Sequence, residues 1–265
     1  MVAVLGPQGT FSEKAAYKLN IPKEDITYCP SINECFKMLD RMDIIVPIEN
    51  TLDGYVQETL DLLLEYHAVI LKEIYVPVQF SLVGNVSNIN ELKRVYVQFK
   101  AKRQCQNFFD EHPFCQVINT ESNIESLNLA KAKKPGDGAI IPLHSLDDFF
   151  SFRINNVTDS VNNETRFLYL GKDSNKKYFN ENHNKCTLAV EALVDKPGLL
   201  YNVLGVLKDH DLNMISLMSR PTKKTMGNYY FFIEIAMNGK NDSEIKKCLP
   251  LVNNDEVKTT ILGIY

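Results

Sequence analysis

Four short segments combine residue types that could hold and transform a small anion. Gly6–Ser12 reads GPQGTFS. Its two glycines allow a sharp turn and a close backbone approach to a ligand. A helix starting there would offer unpaired N–H groups and a partial positive charge to an anion. Thr10 and Ser12 add hydroxyl donors. Pro47–Asn50 reads PIEN and closes a β-branched run. Glu49 and Asn50 would then stand at the C-terminal mouth of a strand, where open α/β sheets keep their ligand crevice. Asn162–Leu170 reads NNETRFLYL, with the Thr165 hydroxyl beside the Arg166 guanidinium. Arginine matches a carboxylate bidentately. Arg103–Phe109 reads RQCQNFF and offers Gln104 as a hydrogen-bonding group. Singly, each segment has a plainer reading: a capped helix start, a turn at Asp53–Gly54, a surface ion pair at Arg166, a solvated helix residue at Gln104.

The elements that would position these residues can be read from periodicity. Val2–Leu5, Asp43–Ile48, Ala68–Val76, Gln79–Val83, Val95–Val97, Cys115–Ile118, Ala139–Ile141 and Arg166–Leu170 read as strands. Helices are expected over about 10–19, 31–41, 56–64, 101–110 and 122–133, three of them opened by a Ser/Thr with Glu three residues on: Thr10/Glu13, Ser31/Glu34 and Ser122/Glu125. Such alternation predicts βα units and parallel sheets. A polar, Asn/Lys-rich stretch follows from Lys172 to Lys185 and reads as a linker. Beyond it, strand 187–193, helix 197–208, strands 214–218 and 229–237, helix 242–251 and strand 257–265 give the order βαββαβ of a ferredoxin-like unit.

Bulk properties narrow the function classes. At 265 residues there is room for two or three compact units. A net charge of −4 gives no general attraction to nucleic acid or to an anionic membrane. No apolar run approaches the ~20 residues that span a bilayer. The start of the chain has no basic leader, so a cytoplasmic protein is expected. Six cysteines, with no CxxC pair and no histidine at zinc-ligand spacing, read as reduced, buried thiols. No residue cluster suggests a metal or an organic cofactor.

Taken together and in this order, GPQGTFS, PIEN with TLDLL at 59–63, and TRF at 165–167 resemble prephenate dehydratase. PGLLY (197–201) and SRP (219–221) are similar to the two phenylalanine-binding motifs of that family's C-terminal ACT domain. The resemblance runs over nearly the whole chain. No chorismate mutase helices precede it, so the monofunctional form is expected. The resemblance implies an α/β catalytic region over 1–173, two-lobed like a type-II periplasmic binding protein. Lobe 1 would be about 1–76 and 160–173, and lobe 2 about 77–159. A linker at 174–185 and an ACT regulatory domain at 186–265 would follow.

It also implies the reaction. Prephenate loses its ring carboxylate as CO2 and its ring hydroxyl as water, giving phenylpyruvate in phenylalanine biosynthesis. Catalysis is expected from Thr165, Arg166, Glu49 and Asn50. Thr10, Ser12, Gln104, Phe167 and Gln98 are expected to contact substrate. Arg166, or the N–H groups near Thr10, would hold the pyruvyl carboxylate, and Phe167 or another apolar side chain would help keep water from the ring. L-phenylalanine, as effector, is expected at Pro197, Gly198, Leu199, Leu200, Ser219, Arg220 and Pro221. Homodimers or homotetramers through the ACT domains are expected, since isologous pairing is the usual oligomer geometry.

Two departures from the family pattern stand out. Relatives usually carry Ser-His-Pro where this chain has Val97–Gln98–Phe99, so Gln98 replaces a titrating group by an amide. The usual Glu-Ser-Arg-Pro reads Met218–Ser219–Arg220–Pro221. Arogenate dehydratase, acting on the aminated substrate, is the neighbouring reading. A non-catalytic sensor of amino or aromatic acids is the reading from another class.

Overall fold

The computed structural model describes residues 1–132, 134–146, 148–172, 184–222, 228–237 and 242–265. The first lobe begins with β1 (Val2–Leu5), α1 (Phe11–Lys18), β2 (Ile26–Cys29), α2 (Ile32–Lys37), β3 (Asp43–Asn50), β4 (Gly54–Tyr55), α3 (Gln57–Glu65) and β5 (Val69–Pro77). The second lobe holds β6 (Phe80–Gly84), β7 (Arg94–Gln98), α4 (Phe99–Arg103), α5 (Gln106–Glu111), β8 (Gln116–Thr120), α6 (Asn123–Lys131), β9 (Asp137–Pro142) and β10 (Phe152–Ile154). The chain then returns to the first lobe as β11 (Glu164–Gly171). The C-terminal unit is β12 (Lys185–Ala192), α7 (Leu199–Asp209), β13 (Asn213–Pro221), β14 (Tyr229–Ala236), α8 (Asp242–Val252) and β15 (Val257–Ile264). Among the described residues no helix is long and apolar enough to cross a membrane.

Three sheets organise these elements. The first lobe's sheet runs β2-β1-β3-β11-β5 with β4 beside β3, the second's β10-β6-β9-β7-β8, and the C-terminal unit's β13-β14-β12-β15. The expectation of parallel sheets holds only in part. β1 is parallel to β2 and β3, and β7 to β8 and β9. β11, coming back from the second lobe, runs antiparallel to both β3 and β5. That reversal sets the ends of β3 and β11 side by side, so PIEN and TRF become neighbours: Thr165 pairs with Asn50 and Arg166 with Glu49.

Local chemistry explains where helices start. The Ser31 hydroxyl accepts the Glu34 N–H at 3.1 Å, and Ser122 accepts that of Glu125 at 3.1 Å, each satisfying an orphan donor. Thr10 departs from this pattern. Its hydroxyl donates to the Leu5 carbonyl at 3.1 Å, and Glu13 instead accepts the Gly9 N–H at 2.5 Å. The helix expected over 101–110 is two helices. Asp159 accepts the N–H groups of Gln106 and Asn107 at 2.7 and 3.0 Å, capping α5, while the Gln104 carbonyl accepts the Asp159 N–H at 2.8 Å. The break leaves Gln104 at the corner between α4 and α5.

In the C-terminal unit the two helices cover one sheet face, where Val190, Ile233 and Ile235 pack with Leu199, Val203 and Ile245. The opposite face rests on the first lobe. Ala189, Phe232, Leu262 and Tyr265 share a core with Ile70, Leu168 and Leu170. The approach is close enough that a Cβ on Gly263 would collide with the Ile70 carbonyl. The linker expected at 174–185 lies almost wholly outside the described residues, as does most of the polar loop after Pro221.

Candidate active site

A crevice of about 590 Å3 opens between the lobes, lined by Gly9, Thr10, Asn50, Gln98, Gln104 and Thr165 among others. Segments distant in sequence therefore converge on one hollow. At its base lies a chain of amides. Asn50 Nδ2 donates to the Thr165 hydroxyl at 3.0 Å, to Asn163 Oδ1 at 2.9 Å and to the Glu164 carbonyl at 3.0 Å. Asn163 Nδ2 donates to Gln104 Oε1 at 2.9 Å. The N–H groups of Leu52 and Asp53 donate to Asn50 Oδ1 at 3.0 and 3.1 Å, which fixes its orientation.

This wiring settles the direction of the donors. Thr165 accepts from Asn50, so its own O–H proton can point into the crevice. Gln104 uses its oxygen on Asn163, so its NH2 group is turned to the hollow it lines. Gln98 caps α4: its Oε1 accepts from Lys100 and Ala101 N–H at 2.8 and 3.2 Å. Its NH2 group is the part left for a ligand.

Four expected site residues lie elsewhere. Arg166 is only 4% exposed and faces the C-terminal unit, bound to Glu49, Glu73 and Glu234. The cause is the two-residue period of a strand: with Thr165 on the crevice side, Arg166 must point the other way. Glu49, cross-strand from Arg166, goes with it, and its carboxylate lies 2.9 Å from the guanidinium. Phe167 is buried in the core of lobe 1 among Val4, Ala16 and Ile74 and does not line the crevice. Ser12 is buried in the first turn of α1, away from the hollow.

Three residues that sequence reasoning passed over belong to the site. Asn163 is fully buried and links Asn50 to Gln104. Lys100 is the cation among the described residues that line the crevice. Tyr55 lines it too, with burial raising its hydroxyl pKa. Local sequence gave no sign of Asn163, because its partners are 59 and 113 residues away. The thiols take no part. All six are unbridged and buried, and burial pushes Cys105 beside Gln104 up to about 12.

In the C-terminal unit a hollow of about 310 Å3 is lined by Asp195, Gly198, Leu199, Leu200, Tyr229 and Phe231 among others. Pro197 is exposed just before it. Ser219 and Pro221 are the cross-strand partners of Phe231 and Tyr229, beside the hollow. Arg220 is not part of it. Its guanidinium holds Asp61 of α3 with two bonds of 2.9 Å. Strand alternation again sends it to the opposite face, towards lobe 1.

Comparisons with known proteins agree with this architecture. The prephenate dehydratase family profile matches residues 2–175 and the ACT domain profile residues 187–249. A prephenate dehydratase of Methanocaldococcus jannaschii is 35% identical over 250 residues, covering 92% of this chain and 90% of its own. The crystal structure of prephenate dehydratase from Staphylococcus aureus superposes with a TM-score of 0.82 at 26% identity, over 100% of this chain and 99% of that one. The Arthrobacter aurescens enzyme, solved in complex with L-Phe, shares the fold at 24% identity and a TM-score of 0.79, over 99% of this chain and 88% of its own. With its crevice built from GPQGTFS, PIEN and TRF, and its profile match across well over half of its length, the chain belongs to the prephenate dehydratase family and carries a C-terminal ACT domain.

Proposed function

We propose that the interlobe crevice carries out the decarboxylating dehydration of prephenate to phenylpyruvate, with Thr165 as the donor to the departing hydroxyl. The observation that carries this reading is the Asn50–Thr165 hydrogen bond, in which the Thr165 oxygen accepts and its proton stays available to the crevice. Threonine is too weak an acid to release that proton outright. It acts as a positioned donor whose bond strengthens as charge grows on the leaving oxygen. The Gln104 NH2 group is a second donor on the same wall.

The two substrate carboxylates need opposite treatment. With Arg166 withdrawn, Lys100 is the group to hold the pyruvyl carboxylate. The ring carboxylate is then left without a strong cation, and Asp53 and Glu121 line the same crevice. That suits the chemistry, since a paired carboxylate would be stabilised against loss of CO2. Aromatisation drives the fragmentation. Arogenate is the second reading, because Asp53 or Glu121 could pair with its ammonium.

The regulatory reading places L-phenylalanine in the hollow at the start of α7. Asp195 would meet its ammonium, Tyr229 and Phe231 its ring. Pairing of two copies through ACT domains belongs to the same reading. So does a cytoplasmic setting, for which six unbridged thiols are the support.

One assay tests the function. Purified protein is mixed with prephenate, or with arogenate, and the rate of phenylpyruvate or phenylalanine formation is followed. Thr165→Val is expected to lower kcat by roughly 10²–10⁴, and Lys100→Met to raise KM with little change in kcat. Near-normal turnover by Thr165→Val would remove Thr165 from the mechanism.

A further inference from the structure

A buried ionic cluster joins the ACT sheet to the strand that carries Thr165. Arg166 Nη1 donates to both carboxylate oxygens of Glu234 at 2.8 and 3.0 Å and to Glu73 at 3.2 Å. Its Nη2 lies 2.9 Å from Glu49. Lys185 donates to Glu73 at 2.7 Å and lies 3.8 Å from Glu234. Tyr55 closes the group, 3.4 Å from Nη2, with its hydroxyl bonded to Ser216 at 2.5 Å. Glu234, Lys185 and Ser216 belong to the ACT sheet, and Arg166, Glu49, Glu73 and Tyr55 to lobe 1.

Such a cluster is weak evidence for stability, because apolar packing would serve that purpose as well. Its placement has another consequence. Arg166 and Glu49 form one rung of the β3–β11 ladder, and Thr165 and Asn50 form the next. The ladder slips register just beyond, between Arg166 and Phe167, and such irregularities loosen regular pairing. The catalytic rung is therefore braced from behind by a guanidinium whose other end is gripped by the ACT domain. A planar fork with fixed donor directions must follow its carboxylates if they move.

We propose that Arg166 is a positioning residue through which the ACT sheet sets the Thr165–Asn50 rung, so that an effector on the ACT domain governs turnover by moving Glu234. This rests on the phenylalanine response and the Thr165 role proposed above, and deepens them by naming the link between the sites. The effector acts by binding two arrangements of this cluster with different affinity.

The test compares full-length wild type with Glu234→Gln, using L-phenylalanine as probe. Calorimetry reads binding, hydrogen exchange reads the β3 and β11 peptides, and prephenate turnover reads activity. Glu234→Gln is expected to bind phenylalanine within about threefold of wild type, yet to lose the exchange change in β3 and β11 and to show a turnover response to saturating effector at least about tenfold smaller. If that variant does not fold, Glu234→Asp, which withdraws the carboxylate, is expected to give the same loss. Arg166→Lys keeps the charge without the fork, and its kcat should fall about tenfold or more with KM nearly unchanged. An effector response that survives in the Glu234 variants overturns the proposal. So does a wild type that binds no phenylalanine, or an Arg166→Lys enzyme whose KM rises at constant kcat. A wild type inert on prephenate sinks the functional reading instead, and the exchange arm still decides the coupling.

Discussion

Asn163 uses both ends of its amide, donating to Gln104 and accepting from Asn50, with no surface exposed to water. Asn163→Ala would leave the buried Gln104 oxygen without its donor and remove one of the three acceptors around Asn50 Nδ2. Stranding buried polar groups costs about 1–3 kcal/mol, so chemical denaturation should show a loss of that size. Turnover should fall as well, because the Gln104 amide would no longer be held with its NH2 group turned to the crevice. A variant with wild-type stability and rate would mean that water replaces the amide. At this scale the sequence was legible in part. Thr165, Asn50, Gln104 and Thr10 are legible in their segments and Gln98 in the departure at Val97–Phe99, and all five line the crevice. Arg166 and Glu49 were named beside them and face away. The alternation of a strand already held that correction, since adjacent residues such as Thr165 and Arg166 cannot both face one hollow. Asn163 lay beyond reach, because nothing local marks an amide whose partners come from other elements.

Elements announce themselves through periodicity and caps, and most were legible for that reason. β3, α3, α6 and the six elements of the ACT domain fall close to the spans read from apolar spacing. The α4–α5 break was not, because the group that makes it is Asp159, about fifty residues away. The Gly-rich turn before α1 was legible as a turn, and the structure shows what it demands. Gly9 has φ +84°, and a Cβ there would come within 2.7 Å of the Ile124 side chain across the lobe junction. The left-handed backbone costs a non-glycine residue roughly 1–2 kcal/mol, while the end of the Ile124 side chain can yield cheaply. Gly9→Ala should therefore lower stability by about that amount and weaken kcat/KM, since the loop lines the crevice. The double variant Gly9→Ala/Ile124→Ala should recover neither. Full recovery would show that the contact with Ile124, not the backbone, makes glycine necessary.

At the scale of the whole molecule the lobes meet around Phe11, which leaves lobe 1 to touch His144 and Phe80 of lobe 2 edge-on, with ring centroids 4.9 and 5.9 Å away. His144 Nε2 is buried there with no hydrogen-bond partner among the described residues. Burial first, and then the positive charge of Lys14, lower the His144 pKa from 6.5 to about 4. The unfolded chain, or any state that parts the lobes, therefore binds the proton more readily than the closed form. The stabilisation is fully present above pH 6.5, falls as the pH drops below that value, and is spent below about 4. At 1.36 kcal/mol per pH unit, about 2 kcal/mol should be gone by pH 5. Glu13 does not confuse this window. Burial opposes its charge, but the Tyr28 and Tyr17 hydroxyls and the Gly9 N–H bring its pKa below the usual 4.5, so its contribution is lost only at lower pH. Denaturant unfolding at pH 7 and pH 5 should show wild type losing this increment and His144→Gln keeping most of it. Equal losses in the two proteins would mean that the imidazole keeps its hydration in the folded state.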